Sequence, residues 1–118
     1  MIVFDVLSWA FLVVGGVFCV IGGIGLIRLP DFYARCHAGG VTDTLGAGLI
    51  LLGLSLQAVE MMVEASSAGE AMLPAGLVLV KLVSVLVFLL MTSPIAGHAT
   101  VRAAWNHGLQ PNLHEDRR

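Results

Sequence analysis

Apolar positions dominate three long stretches of the chain, and polar ones gather between them. The first run is Val6 to Ile27 and contains no charge. The second is Leu45 to Val59, extended by Val41 before it and by Met61–Val63 after it. The third is Leu73 to Ala96, interrupted by Lys81. A helix rises 1.5 Å per residue, so about 20 residues cross about 30 Å of hydrocarbon. The first and third runs meet this length directly. The second meets it if Thr42 and Glu60 lie near the two interfaces. Lipid offers no partner to a bare backbone group, so such runs must be helical. The pattern predicts an all-α membrane protein of three transmembrane helices, spanning about 4–28, 42–63 and 73–96.

The boundaries have local causes. Arg28 ends the first span, and Pro30 cannot continue its hydrogen-bond ladder. Pro30 suits the first position of a short interfacial helix, Pro30 to His37. Asp31 and Arg35 then stand four apart and can pair. Gly39-Gly40 is expected to release the chain from that helix. Thr42, Asp43 and Thr44 are each plausible N-caps of span two. Residues 64–70 read as a polar, acidic loop, and Pro74 suits the first turn of span three. Residues 1–104 form one transmembrane domain in this reading, and 105–118 a polar tail.

Composition agrees. Of 118 residues, 58% are hydrophobic and 12% charged, with a mean hydropathy of +0.93. So little charge cannot cover the surface of a small soluble domain. The net charge of −2 carries no basic run of the kind nucleic acid needs, and membrane lipid is the expected surroundings. Cys19 and Cys36 lack the spacing of a zinc or redox site. No basic segment precedes the first run, which is expected to stay as a span rather than be cleaved.

Arginine placement sets the orientation. Arg28 and Arg35 flank the first loop, and Arg102, Arg117 and Arg118 follow span three. Three spans put that loop and the C-terminus on one side, which the positive-inside rule assigns to the cytoplasm. The N-terminus and the acidic loop are then expected outside.

Small residues cluster on span one (Gly15, Gly16, Cys19, Gly22, Gly23) and at the start of span two (Gly46, Ala47, Gly48). Such positions let helix backbones approach closely. Three spans make a thin bundle, better suited to one layer of a larger assembly than to an enclosed path.

Four residues are candidates for ion handling. Lys81 is the ionisable residue well inside a span, and such charges are functional candidates. It reads either as part of a relay or as a snorkelled or structural pair, with Glu60 the first choice of partner and Asp5 or Glu64 the alternatives. Asp43 either coordinates a cation or caps span two. His37 sits in the cytoplasmic loop, where an imidazole titrates near neutral pH; His98 holds a similar position after Pro94. No nucleophile with a base, phosphate loop or metal quartet is present, so no enzymatic site, metal or cofactor is expected.

One stretch carries a resemblance. Gly22-Gly23-Ile24-Gly25-Leu26-Ile27-Arg28-Leu29-Pro30-Asp31-Phe32-Tyr33-Ala34-Arg35 leads into Cys36-His37-Ala38, then Thr42-Asp43-Thr44-Leu45-Gly46. It resembles the first-loop motif of the small G subunit (the MrpG, MnhG or PhaG family) of multisubunit sodium/proton antiporters. Cys36 departs from the leucine usual there. Thr92-Ser93-Pro94-Ile95-Ala96-Gly97-His98-Ala99, running on to Arg102-Ala103-Ala104, is similar to the family's third-span ending. The resemblance covers about Gly15 to Ala104. It implies a subunit of a hetero-oligomeric complex in a bacterial or archaeal cell membrane. That complex exchanges Na⁺ or a related cation for H⁺ at the expense of the proton-motive force, in the service of pH homeostasis. Na⁺ and H⁺ are then transported substrates, and the partners are the other subunits. The implied role is in assembly, with a share in the cation route left open beside a purely structural role. Gly23, Gly25, Arg28, Pro30, Asp31, Arg35, Thr44, Gly46 and Pro94 are the motif and packing positions.

Overall fold

A computed structural model describes residues 2–111. Within those residues four α-helices follow in order: α1 (Ile2–Arg28), α2 (Phe32–Val41), α3 (Ala47–Ala68) and α4 (Leu73–Asn106). A π-helical segment, Thr42–Gly46, joins α2 to α3 without a break. Among the described residues, three continuous helical stretches are long and apolar enough to cross a membrane: Ile2–Arg28, Phe32–Ala68 and Leu73–Asn106.

α3 lies between α1 and α4, whose Cα atoms nowhere come within 8 Å of one another. The α1–α3 contact is built on backbone proximity. Ser8, Leu12, Gly15, Cys19 and Gly22 repeat at four and three residues, and they face Gly53, Ile50, Gly46 and Thr42 on the other side. This near-3.5 spacing is the period of a left-handed helix pair. A Cβ on Gly15 would lie 2.8 Å from the Gly46 carbonyl oxygen, and one on Gly46 would lie 2.6 Å from Cys19 Sγ. A Cβ on Gly22 would collide with Thr42 Oγ1. Gly23 and Gly16, expected in the same contact, face away with nothing near them. The seam follows the 3.5-residue period and takes Gly22 in place of Gly23. Ser8, fully buried, donates from Oγ to the Gly53 carbonyl at 2.8 Å and pins the seam near the N-terminal end of α1.

Several boundaries differ from the sequence expectation. The interfacial helix starts at Phe32 with Asp31 as N-cap, not at Pro30. It does not stop at Gly39-Gly40. Glycine weakens a helix without forbidding it, and here Gly39 lies 3.7 Å (from an ideal Cβ) from Leu26 of α1. α3 runs past Val63 to Ala68, because Glu64-Ala65-Ser66-Ser67 contains no breaker. It ends where Gly69 takes a left-handed φ of 73° and Glu70 N donates to Ala65 O at 2.9 Å. That is a Schellman-type stop. α4 continues through Pro94 to Asn106 instead of ending near Ala96. At about 51 Å it exceeds the hydrocarbon thickness.

The seam makes a graded prediction. Gly46→Val should lower unfolding free energy in mixed micelles by about 2 kcal/mol through overpacking against Cys19. Ser8→Ala should cost about 0.6 kcal/mol, the average for a membrane hydrogen bond. Gly16→Ala should leave stability unchanged or slightly raised.

Candidate functional site

Two helix irregularities face each other at the end of the bundle that carries Arg28, Arg35 and Arg102. The first is the π-segment. A π-turn inserts one residue into the α ladder and is frequent at functional sites. Threonine hydroxyls turned back onto the helix support it here: Thr42 Oγ1 donates to Ala38 O at 3.1 Å and Thr44 Oγ1 to Gly40 O at 2.6 Å. Such back-bonding bends helices. The second irregularity is Pro94 inside α4. Proline has no N–H, so the Leu90 carbonyl loses its helical donor.

Between them lies a groove of about 620 Å³, open at the chain surface. Its walls are mostly apolar, with polar groups from His37, Thr44, Ser93 and Tyr33, and with Cys36 and Pro94 beside them. Tyr33 also donates from Oη to the Leu109 carbonyl at 2.7 Å, tying the chain after α4 back onto α2. Arg35 Nε donates to Leu29 O at 2.6 Å, satisfying a carbonyl just past the end of α1.

The sequence candidates fall in different places. His37 is on the groove wall and exposed. Thr44 is on the wall, while Gly46 is buried in the α1 seam. Asp43 is exposed on the π-segment, next to the wall rather than in it, and has no partner among the described residues. It does not cap span two. The helix passes through it without an end, so there are no free N–H groups there to cap. Gly25 packs against α2, where an added Cβ would lie 2.9 Å from Ala38 Cβ.

Glu60 and Lys81 do not pair. Glu60 is 8% exposed, points into the α1 side of α3 beside Asp5, and leaves Oε1 without a hydrogen bond. Lys81 is exposed on α4, with no ion-pair partner among the described residues. α3 stands between them. Asp5, named as an alternative partner for the lysine, thus neighbours the glutamate. Arg117 and Arg118 lie outside the described residues. The groove itself was missed from sequence, although Thr-x-Thr opposite an intrahelical proline was the available sign.

Residues 11–105 match the family model PhaG_MnhG_YufB, described as a Na⁺/H⁺ antiporter subunit. Among characterised relatives, Na⁺/H⁺ antiporter subunit G1 of Staphylococcus aureus is 32% identical over 100 residues, 85% of this chain and 74% of that protein. Among solved structures, a chain of the Mrp complex from Dietzia sp. DQ12-45-1b superposes with a TM-score of 0.70 at 26% identity, covering 99% of this chain and 92% of that one. A chain of the membrane-bound sulfane sulfur reductase, an archaeal respiratory membrane complex, gives 0.64 at 29% identity, covering 100% and 90%.

The groove's shape depends on the broken ladder in α4. Pro94→Ala should restore the bond to Leu90 and narrow the groove. In a Cys19→Ala background, Cys36 should then react several-fold more slowly with a membrane-permeant maleimide.

Proposed function

The chain belongs to the PhaG/MnhG/YufB family of Na⁺/H⁺ antiporter subunits, and from that premise we propose that its π-segment groove serves the cation route of the assembled antiporter at the cytoplasmic end. The chain is a multi-pass membrane subunit of a multisubunit Na⁺/H⁺ antiporter. As a transporter component it needs no active site of its own, and we assign it no enzymatic activity and no cofactor.

One observation carries the reading. A carboxylate with no partner among the described residues, Asp43, sits on a π-helical break that faces a proline break in the neighbouring helix. Irregular backbone at membrane depth persists where it is buried in protein or lines a hydrated cavity. Transporters place ion sites at such discontinuous helices. Asp43 supplies charge, while Thr44, Ser93 and His37 supply polar groups on the adjoining wall. The cytoplasmic assignment rests on Arg28, Arg35 and Arg102 sharing this end of the bundle. We place the complex in a bacterial or archaeal cell membrane, with the N-terminus outside and the C-terminus inside.

The glycine-lined seam favours a second reading, in which the subunit serves assembly alone. Asp43→Asn separates the two. In everted vesicles carrying the complete complex, the substitution should reduce Na⁺-dependent proton exchange at least about tenfold while all subunits still co-purify, the expected scale for losing a charge that meets a desolvated ion. Exchange close to wild type would leave the assembly role alone. Tags on the two termini should be accessible from opposite faces of the membrane.

A further inference from the structure

Lys81 is the charged group that neither the seam nor the groove uses. Two contacts fix its level. Gly76 faces Met62 and Leu86 faces Gly48, which brackets Lys81 beside the middle of α3. It lies about 12 Å along the axis from Leu73, deeper than its own stem reaches back. Among the described residues it has no ion-pair partner, and no Cα of α1 comes within 8 Å of one in α4. Its surroundings on α4 have a helix-packing spacing. Leu77, Lys81, Ser84, Phe88, Met91 and Ile95 recur at four and three residues, and all are exposed or nearly so on the face turned from α3. Ser84 donates its hydroxyl to Val80 O at 2.7 Å. Its proton is therefore already engaged within α4.

An ammonium at this depth needs a counter-charge, because lipid cannot solvate it. We propose that the Lys81 face of α4 is an inter-subunit docking surface, occupied by a transmembrane helix of another antiporter subunit that presents an Asp or Glu at this level. A second copy of this chain does not fit. Its intramembrane carboxylates are Asp5 and Glu60, which lie together near the outer end, and Asp43, which lies near the opposite end. None stands exposed at mid-depth. The proposal rests on the subunit reading above, and it names the face and the chemistry of the contact.

The test uses the complete complex, purified through a tag on a different subunit, with the membrane level of this chain measured in parallel. Lys81→Arg should keep the chain in the complex within about twofold of wild type. Lys81→Met should lower its recovery several-fold, and Lys81→Glu at least about tenfold, because each leaves the partner carboxylate uncompensated or repelled. Replacing one intramembrane Asp or Glu of a partner subunit by Lys should restore the Lys81→Glu chain. A membrane-permeant carbodiimide should form an amide between the Lys81 ammonium nitrogen, after proton loss, and that carboxyl, with water as the product taken up by the reagent. Wild-type recovery of Lys81→Met or Lys81→Glu would overturn the proposal. So would a Lys81→Glu loss that no partner substitution restores but that changes with anionic-lipid content, which would assign the charge to a headgroup. If the wild-type chain itself co-purified with no antiporter subunit, the subunit reading would fail instead.

Discussion

The close approach of α1 to α3 is the contact on which the rest of the molecule depends. Lipid tails are as apolar as leucine, so burying leucine gives two membrane helices no reason to associate. What remains is dispersion at short range and hydrogen bonding across the interface. Gly15, Gly22, Gly46 and Gly53 make the first possible, and Ser8 supplies the second. The seam also fixes the rotation of α3 about its axis. That rotation turns Glu60 toward α1 and leaves the opposite side of α3 for α4.

The same seam explains why a π-segment is tolerated. Thr42 and Gly46, at its two ends, are held against Gly22, Cys19 and Gly15. An extra residue in the ladder shifts the register of everything after it. It persists because side-chain hydroxyls and packing against α1 offset the weaker backbone geometry. Pro94 places a second defect on the facing helix. Each break alone would be a local irregularity; facing one another, they open a groove that regular helices would close.

Much of this was legible in the residue pattern. Three spans, the short helix after Pro30 and the grouping of arginines at one end follow from hydropathy and from the restrictions on proline. The ends of helices were harder to read. Gly39-Gly40 and Pro94 carry strong local signals for a stop, yet both helices run on through them, with Gly39 packed near Leu26 of α1. Gly69 carries the same signal and does stop α3, taking a left-handed φ of 73° while the Glu70 N–H bonds to the Ala65 carbonyl. The Glu60–Lys81 pairing failed for another reason: sequence separation and rough depth say nothing of which side of a helix each residue occupies. Asp43 read as a cap because the π-segment leaves no mark in hydropathy.

The bond from Tyr33 to the Leu109 carbonyl closes a covalent and hydrogen-bonded ring around the lower half of the molecule. Pro94 divides α4 into two arms, and the lower arm is clamped at its tip to the helix that forms the other wall of the groove. Swinging that arm outward would stretch the clamp together with the packing that buries Ala104. One side of the opening is thus held by a bond from a phenol hydroxyl that stands between Asp31 and Arg35 in the chain.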